Sequence, residues 1–327
     1  MRIAFIVNDW RAPGPEQTTT LLISAALQRG HRVLVCGVGD LTRTDSGTLL
    51  AFGCMPDSGS PKDLVSQLAT AEGSLEPLDE QDLCVVRTNP GRDERRRAQH
   101  VASLRLLEWL EERGVRVVNR PRGLSRSLTK LSLLDLPNDL RPRTLVTRDV
   151  AAIERFLEQA STRAVIKPLE GTRGRDVFVL ESRQGVANTR QIIEVVCRQG
   201  YAVVQEFVAG ADKGDVRVTV VDGAILEVEG QPAAVARVPG RADFRSNLHA
   251  GGSAAPASVS AGMRDAVARI APLFEREGLV HVGVDFVGSQ ILELNVFSPG
   301  GLFPSERLYQ RDFSGGVIEA FERRVGP

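Results

Sequence analysis

The first third of the chain alternates short apolar runs with amphipathic segments. Arg2–Val7 predicts a strand, Thr18–Arg29 has apolar residues at helical spacing and stops at Gly30, and His31–Cys36 predicts a second strand. Strand, helix and strand in this order predict a parallel sheet in an α/β domain. Ligands of such sheets contact the loops after the strands, so Asp9 is a candidate ligand contact, although a solvated loop fits the pattern equally well.

Further elements complete this domain, which we expect to span residues 1–121. Residues 37–80 are rich in Gly, Ser, Pro and Asp and predict loops around short elements. Leu83–Arg87 predicts a strand, Arg92–Arg113 a helix, and Val115–Asn119 a further strand. The domain is therefore expected to be a parallel α/β unit.

A phosphate-binding pattern follows in a second unit, expected at residues 122–203. The strand Ala164–Pro168 contains Lys167, and the strand Val177–Leu180 follows the basic, Gly-rich turn at 170–175. Glycines let backbone N–H groups approach phosphate oxygens, and basic side chains add charge. By itself such a turn is common and predicts little. There is no Walker A loop, and no G-x-G-x-x-G follows the first strand, which argues against a dinucleotide fold.

The remaining pattern predicts that both later units are α+β. The middle unit adds the helices and strands Leu128–Leu134, Thr144–Thr147, Val150–Gln159, Gln191–Gln199 and Tyr201–Val208. The last unit, residues 204–327, has the predicted strands Gly214–Val221, Ala224–Val228, Ala233–Val238, Val282–Val287 and Ile291–Val296. Its predicted helices are Ala261–Glu277 and Ser314–Arg324.

Two carboxylates and an amide lie within the last predicted hairpin. Asp285 is in one apolar strand, and Glu293 and Asn295 share a face of the next because they are two residues apart. A two-residue loop would pair Asp285 with Leu292 and put Glu293 on the other face, whereas a three-residue loop would pair Asp285 with Glu293. Buried carboxylates need a compensating charge, which Mg²⁺ with phosphate oxygens supplies. An ordinary hairpin with its polar face in water is the alternative.

Composition and charge exclude several classes of protein. The chain has 327 residues, 42% hydrophobic and 25% charged, with 41 basic and 41 acidic side chains. Zero net charge argues against a nucleic-acid or anionic-membrane partner. The first apolar run is too short for a signal peptide or a membrane span. Four scattered cysteines without a CxxC pair favour the reducing cytoplasm.

Taken together, these motifs resemble those of the ATP-grasp superfamily, and within it the bacterial-type glutathione synthetases. The resemblance runs from about Arg2 to Arg324, and its sharpest matches are VIKPLEGTRG, GDVRVTVVDG, ARVP, FRSNLHAGG and GLVHVGVDFVG followed by LELNVFSP. It implies an N-terminal α/β domain followed by an ATP-grasp fold of two α+β subdomains. It also implies an ATP-dependent carboxylate–amine ligase that forms an acyl phosphate from a small-molecule or short-peptide acid, in a homo-oligomer (dimer or tetramer).

The resemblance further implies roles for individual residues. It implies ATP contacts at Lys130, Lys167, Gly171, Gly174, Glu206, Val208 and Asp215, with Glu206 and Val208 at the adenine and Asp215 near the ribose. It implies that two Mg²⁺ ions, for which Mn²⁺ can substitute, bind Asp285, Glu293 and Asn295. It implies that the transferring phosphoryl group is held by Arg217, Arg237 and Asn247. It implies substrate contacts at Asp9, Arg245, Ser298, Gly300 and Gly301.

Departures from the family pattern concern the substrate side. Gly300–Ser305 stands where the family has a polar, arginine-containing segment, and Thr18–Thr20 replaces a stretch richer in Ser and Asp. The first hypothesis, from the resemblance as a whole, is the glutathione synthetase reaction, with γ-glutamylcysteine and glycine. The second, which the substitutions after Pro299 favour, is a ligase that joins a different acid and amine. A non-catalytic nucleotide sensor is the third, disfavoured because candidate metal ligands and phosphate lysines are present.

Overall fold

The computed structural model describes residues 1–57, 59–160, 163–170, 176–181, 188–198, 200–240 and 252–326. Within these residues the chain forms three main sheets with helices packed on them. No described helix combines the length and the apolar character that crossing a membrane requires.

The first sheet is built from the N-terminal third. Its strands are β1 (Arg2–Val7), β2 (Arg32–Arg43), β3 (Leu49–Cys54), β4 (Ser74–Pro77), β5 (Leu83–Val86) and β6 (Arg116–Val118), in the order β4-β3-β2-β1-β5-β6. The helices of this part are α1 (Thr18–Gln28), α2 (Pro61–Thr70), α3 (Arg97–Glu112) and α4 (Pro121–Arg126). The strands β2, β1, β5 and β6 are parallel, as predicted, and two antiparallel strands extend one edge.

The second sheet lies in the middle of the chain and has the order β7-β10-β8-β9. Its elements are β7 (Thr144–Thr147), α5 (Val150–Glu158), β8 (Arg163–Pro168), β9 (Phe178–Glu181), α6 (Thr189–Arg198) and β10 (Ala202–Glu206). The helices α5 and α6 cover it with a separate apolar cluster that includes Ile153, Ile166 and Ile193. The expected division between residues 203 and 204 falls inside β10, so we propose to place it after Glu206.

The third sheet is antiparallel and carries most of the candidate site. Its strands are β11 (Asp215–Val221), β12 (Ala224–Ile225), β15 (Ala234–Val238), β16 (Ser253–Pro256), β17 (His281–Val287) and β18 (Gln290–Asn295), in the order β16-β15-β11-β17-β18 with β12 paired to β11. The short strands β13 (Glu227–Val228) and β14 (Gln231–Pro232) form a separate hairpin. The last helices are α7 (Ala261–Glu277), α8 (Leu302–Tyr309) and α9 (Phe313–Val325).

The strand periodicity explains how the sheets are buried. In the third sheet, alternate residues such as Val218, Val284 and Phe286 face α7 and join its apolar core, which leaves the intervening residues for the opposite face. The C-terminal helix α9 returns to the first sheet, where Phe321 belongs to the same buried cluster as Phe5. The two ends of the chain are thereby packed together.

Several predicted elements need correction. The stretch at 37–80 holds most of β2 and all of β3, α2 and β4, since apolar residues such as Leu49, Leu64 and Leu68 are buried despite the polar composition. The helix predicted from Arg92 begins at Arg97, after two 3₁₀ turns at Pro90–Arg92 and Glu94–Arg96. The return strand predicted at Ala224–Val228 is divided between β12 and β13. The strand β16 and the helix α8 were not predicted.

Candidate active site

The candidate residues of the third sheet lie on one face because strand positions two apart point the same way. Cross-strand pairing places Arg217 beside Asp285 and Asp285 beside Glu293 in one row. The next row on one side pairs Asp215 with Arg237. The next row on the other side pairs Gly283 with Asn295. The sheet thus collects charged side chains that are far apart in sequence.

The hairpin of β17 and β18 combines features of both predicted alternatives. Val287 pairs with Gln290, which leaves a turn of only two residues. The register shifts between Asp285 and Phe286, so that Leu292 is the extra residue of a bulge and Asp285 pairs with Glu293. The carboxylates share a face because of the bulge and not because of a longer loop.

Asp285 is the centre of a buried ion-pair network. Arg217 donates from Nε to its Oδ1 and from Nη2 to its Oδ2, the latter at 2.8 Å. Arg237 Nη2 also donates to Oδ2, at 2.7 Å, and Asn295 Nδ2 does so at 3.2 Å. Burial by itself raises the pKa of Asp285, but the two guanidinium groups outweigh it and hold that pKa below its ordinary value.

Asp215 and Gly300 complete this network. Arg237 donates from Nε and Nη2 to the two oxygens of Asp215, at 2.6 and 2.7 Å. Arg217 Nη1 donates to the carbonyl of Gly300 at 3.2 Å. Both oxygens of Asp215 therefore bind Arg237, so the geometry favours a role in orienting this arginine over the ribose contact that the resemblance implied.

Glu293 is the carboxylate best placed for a cation. It has no hydrogen-bond or ion-pair partner among the described residues, while its charge acts on Lys130 and Lys167. The described residues contain no group of three or more His, Cys, Asp or Glu side chains suited to a metal. With Asp285 and the amide of Asn295, Glu293 forms an oxygen set that fits Mg²⁺ when phosphate oxygens complete the coordination.

Two lysines border this carboxylate pair: Lys167 lies on β8 of the second sheet, and Lys130 begins the 3₁₀ helix Lys130–Asp135. Lys130 Nζ donates to the carbonyls of Pro168 and Leu169, at 3.0 and 3.4 Å, next to the predicted phosphate turn. Burial lowers the pKa of Lys130 to about 8, although the charge of Glu293 counteracts it. Burial also lowers the pKa of Lys167, against the charges of Glu293 and Asp285. Two partly desolvated ammonium groups at one place favour a polyanionic ligand.

All these residues line one cavity of about 930 Å³ between the three sheets. It contains the following predicted site residues: Lys130, Lys167, Glu206, Val208, Asp215, Arg217, Arg237, Asp285, Glu293, Asn295, Ser298, Gly300 and Gly301. At Glu206 the backbone N–H donates to Arg143, and at Val208 the carbonyl accepts from Ala211. Contacts of the Glu206 carbonyl and the Val208 N–H with an adenine edge stay a prediction.

Some predicted residues are not brought into the cavity. Asp9 is absent from its lining and instead accepts a hydrogen bond from Arg96 Nη2 at 3.0 Å. The geometry gives no support to its predicted ligand contact. The predicted residues Gly171, Gly174, Arg245 and Asn247 lie outside the described residues.

The sequence reasoning missed Arg87, which lines the cavity from the N-terminal sheet. It immediately follows β5, and its Nε donates to Thr19 Oγ1 at 3.2 Å while its Nη2 donates to the Pro299 carbonyl at 2.9 Å. Burial lowers the pKa of Arg87 to about 9, so it is cationic at neutral pH. Its position directly after an apolar strand of a parallel sheet was the signal available in the sequence.

Comparison with protein families gives two matches that together span most of the chain. Residues 1–125 match the family model of the prokaryotic glutathione synthetase N-terminal domain. Residues 129–310 match that of the prokaryotic glutathione synthetase ATP-grasp domain.

Curated relatives agree with these matches. The glutathione synthetase of Shewanella oneidensis is 31% identical to this chain over 93% of this chain and 92% of its own length. That of Parasynechococcus marenigrum is 32% identical over 99% of this chain and 100% of its own length.

Solved structures share the fold at lower identity. The D-cycloserine synthetase DcsG superposes with a TM-score of 0.66 at 18% identity, covering 99% of this chain and 100% of DcsG. The ATP-grasp ligase PsnB, complexed with a minimal precursor, has a TM-score of 0.61 at 21% identity, with 97% of each chain covered. These similarities concern the ATP-grasp fold only.

Proposed function

This chain belongs to the prokaryotic glutathione synthetase family and is an ATP-dependent ligase of the ATP-grasp fold, and we propose that it joins γ-glutamylcysteine to glycine. The observation that carries the proposal is the row of Arg217, Asp285 and Glu293 beside Lys130 and Lys167 in one cavity. Two lysines and two arginines around two carboxylates suit a nucleoside triphosphate with a divalent cation.

The reaction has two steps. A carboxylate oxygen of the acid attacks the γ-phosphorus of ATP, the bond to the β-phosphate oxygen breaks, and ADP leaves. The amine then attacks the carbonyl carbon of the acyl phosphate, phosphate departs with the bonding electron pair, and the nitrogen loses a proton. Positioning and charge stabilisation by the protein provide most of the acceleration in such transfers.

The side chains of this cavity supply that positioning. Lys167 on β8 and Lys130 on the 3₁₀ helix Lys130–Asp135 would neutralise the phosphate chain. Arg237 has one nitrogen, Nη1, without a partner among the described residues, and this nitrogen would face the transferring phosphoryl group. Asp215 would keep Arg237 in that orientation.

Mg²⁺ would be held by Glu293 and Asp285, with Asn295 turning its amide oxygen toward the ion. When bound, the cation neutralises the β- and γ-phosphate oxygens. In the absence of the cation, Arg217, Arg237 and Asn295 satisfy Asp285. Glu293, which has no hydrogen-bond or ion-pair partner among the described residues, would attract the cation with its charge.

The experiment that tests this function measures ADP release with Mg-ATP, γ-glutamylcysteine and glycine, with each substrate omitted in turn. The proposal expects ADP release to depend on all substrates and to equal the glutathione formed. ADP release without glutathione, or release that does not depend on glycine, would reject it.

A second candidate is a ligase of the same mechanism that takes another acid or amine. The observation that favours it is an uncharged wall of the cavity, formed by Gly300, Gly301, Phe303 and Pro304. This wall has no cation for the carboxylate of a small amino acid. Substituting other amines for glycine in the same assay distinguishes the two candidates.

We also propose a cytoplasmic, homo-oligomeric enzyme. Four buried cysteines without disulfides support a reducing compartment. The oligomeric state stays a prediction, which light scattering of the purified protein would measure.

A further inference from the structure

Arg87 is a buried cation without a carboxylate partner among the residues that the structure describes. Its residue exposure is 4%, and its described partners are Thr19 Oγ1, the Pro299 carbonyl and His281 Nδ1, the last at 3.5 Å. Burial and the charge of Arg87 hold the pKa of His281 well below its ordinary value, so this ring is neutral. None of these groups neutralises the guanidinium, and an unpaired buried charge is costly.

Two other arginines of the cavity, the buried Arg217 and the partly buried Arg237, show the contrast. Arg217 binds Asp285 through two nitrogens, and Arg237 binds both Asp215 and Asp285. Each of these has its counter-charge in the protein. Arg87 lines the same cavity with no counter-charge from the part of the chain that the structure describes, and an anionic ligand would supply that charge.

The location of Arg87 suits contact with the non-reacting end of a substrate. It follows β5 at the carboxyl edge of the first sheet, where ligands of parallel sheets bind. Its Nη2 binds the Pro299 carbonyl, whereas Arg217 Nη1 binds the next carbonyl, that of Gly300. The two arginines thus hold successive carbonyls of one loop that lines the cavity.

We propose that Arg87 binds a second carboxylate of the acid substrate, so that this ligase is selective for acids with two carboxylates. The inference rests on the proposed function, in which one carboxylate is phosphorylated beside Arg237. Arg87 donates to the Pro299 carbonyl and contacts neither Asp215 nor Asp285, the described carboxylates that hold Arg237, so it is left for a carboxylate other than the reacting one. In γ-glutamylcysteine the second carboxylate is that of the glutamyl α-carbon.

Thr19 fixes the orientation of the guanidinium toward this ligand. Its Oγ1 accepts from Arg87 Nε and lies 3.4 Å from Ser298 Oγ. Arg87 has five N–H groups, and the three described contacts leave two of them to form a fork on a carboxylate.

The test compares two acids, each of which lacks one charged group of γ-glutamylcysteine. The acids are glutarylcysteine, which lacks the glutamyl amine, and 4-aminobutyrylcysteine, which lacks the glutamyl carboxylate. Hydroxylamine replaces glycine, so that the acyl phosphate is trapped as a hydroxamate whichever amine is natural. For the wild-type chain we expect kcat/KM to be about 10- to 100-fold lower for 4-aminobutyrylcysteine than for glutarylcysteine. Equal values for the two acids would overturn the inference.

Variants then assign the discrimination to Arg87. Arg87→Met is expected to bring the two kcat/KM values together while the KM for ATP stays unchanged, and Arg87→Lys should retain part of the difference. Arg95→Met removes an exposed arginine nearby and should keep the full difference. A folded Arg87→Met variant that still discriminates fully would reject the inference.

Different results would reject the proposed function and the role of Arg87. Hydroxamate formation with no glutathione from glycine rejects the glutathione synthetase reaction but leaves the role of Arg87 standing. Glutathione formation without discrimination between the two acids rejects the role of Arg87 alone. If Arg87→Met does not fold by circular dichroism, Arg87→Lys and the wild-type comparison still decide the question. Activation of none of the acids rejects both.

Discussion

Asp285 and Glu293 lie opposite each other on β17 and β18 although the turn between these strands has two residues. A regular hairpin with such a turn would pair Asp285 with Leu292. The bulge at Leu292 places Asp285 opposite Glu293 instead. Leu292 itself lines the cavity. One extra residue thus places two carboxylates on the face that also carries Arg217.

Glu293→Gln should abolish turnover and leave the fold intact. The substitution keeps the size of the side chain but removes the negative charge proposed to attract the cation, and Glu293 has no described partner whose loss would affect folding. We expect kcat to fall by about 100-fold or more, because the Glu293→Gln enzyme loses an electrostatic interaction that stabilises the charge of the transition state. Steady-state ADP release measures this, and the exposed Glu112→Gln is the matched control. A loss of less than fivefold would contradict the assignment.

Asp285→Asn should reduce stability as well as activity. Asp285 neutralises Arg217 and contacts Arg237 in a buried network, and removal of one partner leaves buried cations uncompensated. The free energy of unfolding is expected to fall by about 3–5 kcal/mol. Urea unfolding followed by circular dichroism measures it. Glu293→Gln is the comparison, since it should keep the free energy of unfolding of the wild type. If Asp285→Asn were as stable as Glu293→Gln, the ion pairs of Asp285 would not stabilise the fold.

The affinity for ATP should weaken above about pH 8. Burial lowers the pKa of Lys130 to about 8, so its ammonium is charged below that pH and neutral above it. The KM for Mg-ATP is therefore expected to rise several-fold between pH 7 and 9.5. Lys130→Arg should flatten this profile because arginine stays protonated. An unchanged profile in that variant would assign the dependence to another group.

The same group gives a prediction for stability. Unfolded Lys130 binds its proton up to its ordinary pKa of about 10.4, so between about pH 8 and 10 the unfolded state binds more protons than the folded state. The contribution of Lys130 to the free energy of unfolding should therefore increase as the pH rises from about 8 to 10. The same contribution decreases as the pH falls through this window and is lost below about pH 8. Denaturant unfolding at pH 7 and 9.5, in the wild type and in Lys130→Met, isolates it.

Asn119→Ala should destabilise the junction between the first and third sheets. Asn119 Nδ2 donates to the carbonyls of His281 and Val296, and Oδ1 accepts from the N–H groups of Val280 and His281. Removing this buried amide leaves backbone groups without partners, at a cost of about 2–4 kcal/mol. Thermal unfolding measures it, with the exposed Asn138→Ala as control. A stability loss no greater than that of the control would contradict the role.

Much of the fold could be predicted from the sequence. The strand β1, the strand β7 and the helix α7 lie at their predicted bounds, because apolar spacing and end signals agree there. The stretch at 37–80 was predicted poorly, because its overall Gly, Ser, Pro and Asp content concealed β3, α2 and β4, whose apolar residues Leu49, Ala51 and Leu64 are buried. Their burial depends on partners elsewhere in the chain, such as β2.

The sequence by itself determined which chemical groups are present: two carboxylates and an amide in one hairpin, lysines near a Gly-rich turn, and arginines within apolar strands. Only the tertiary structure decided how they meet. The bulge at Leu292 aligns Asp285 with Glu293, the pairing of β11 with β15 gives Asp215 to Arg237, and the carboxyl edge of the first sheet brings Arg87 into the cavity. The physical reason is that register, bulges and the packing of one sheet on another depend on contacts between distant residues. No local pattern encodes them.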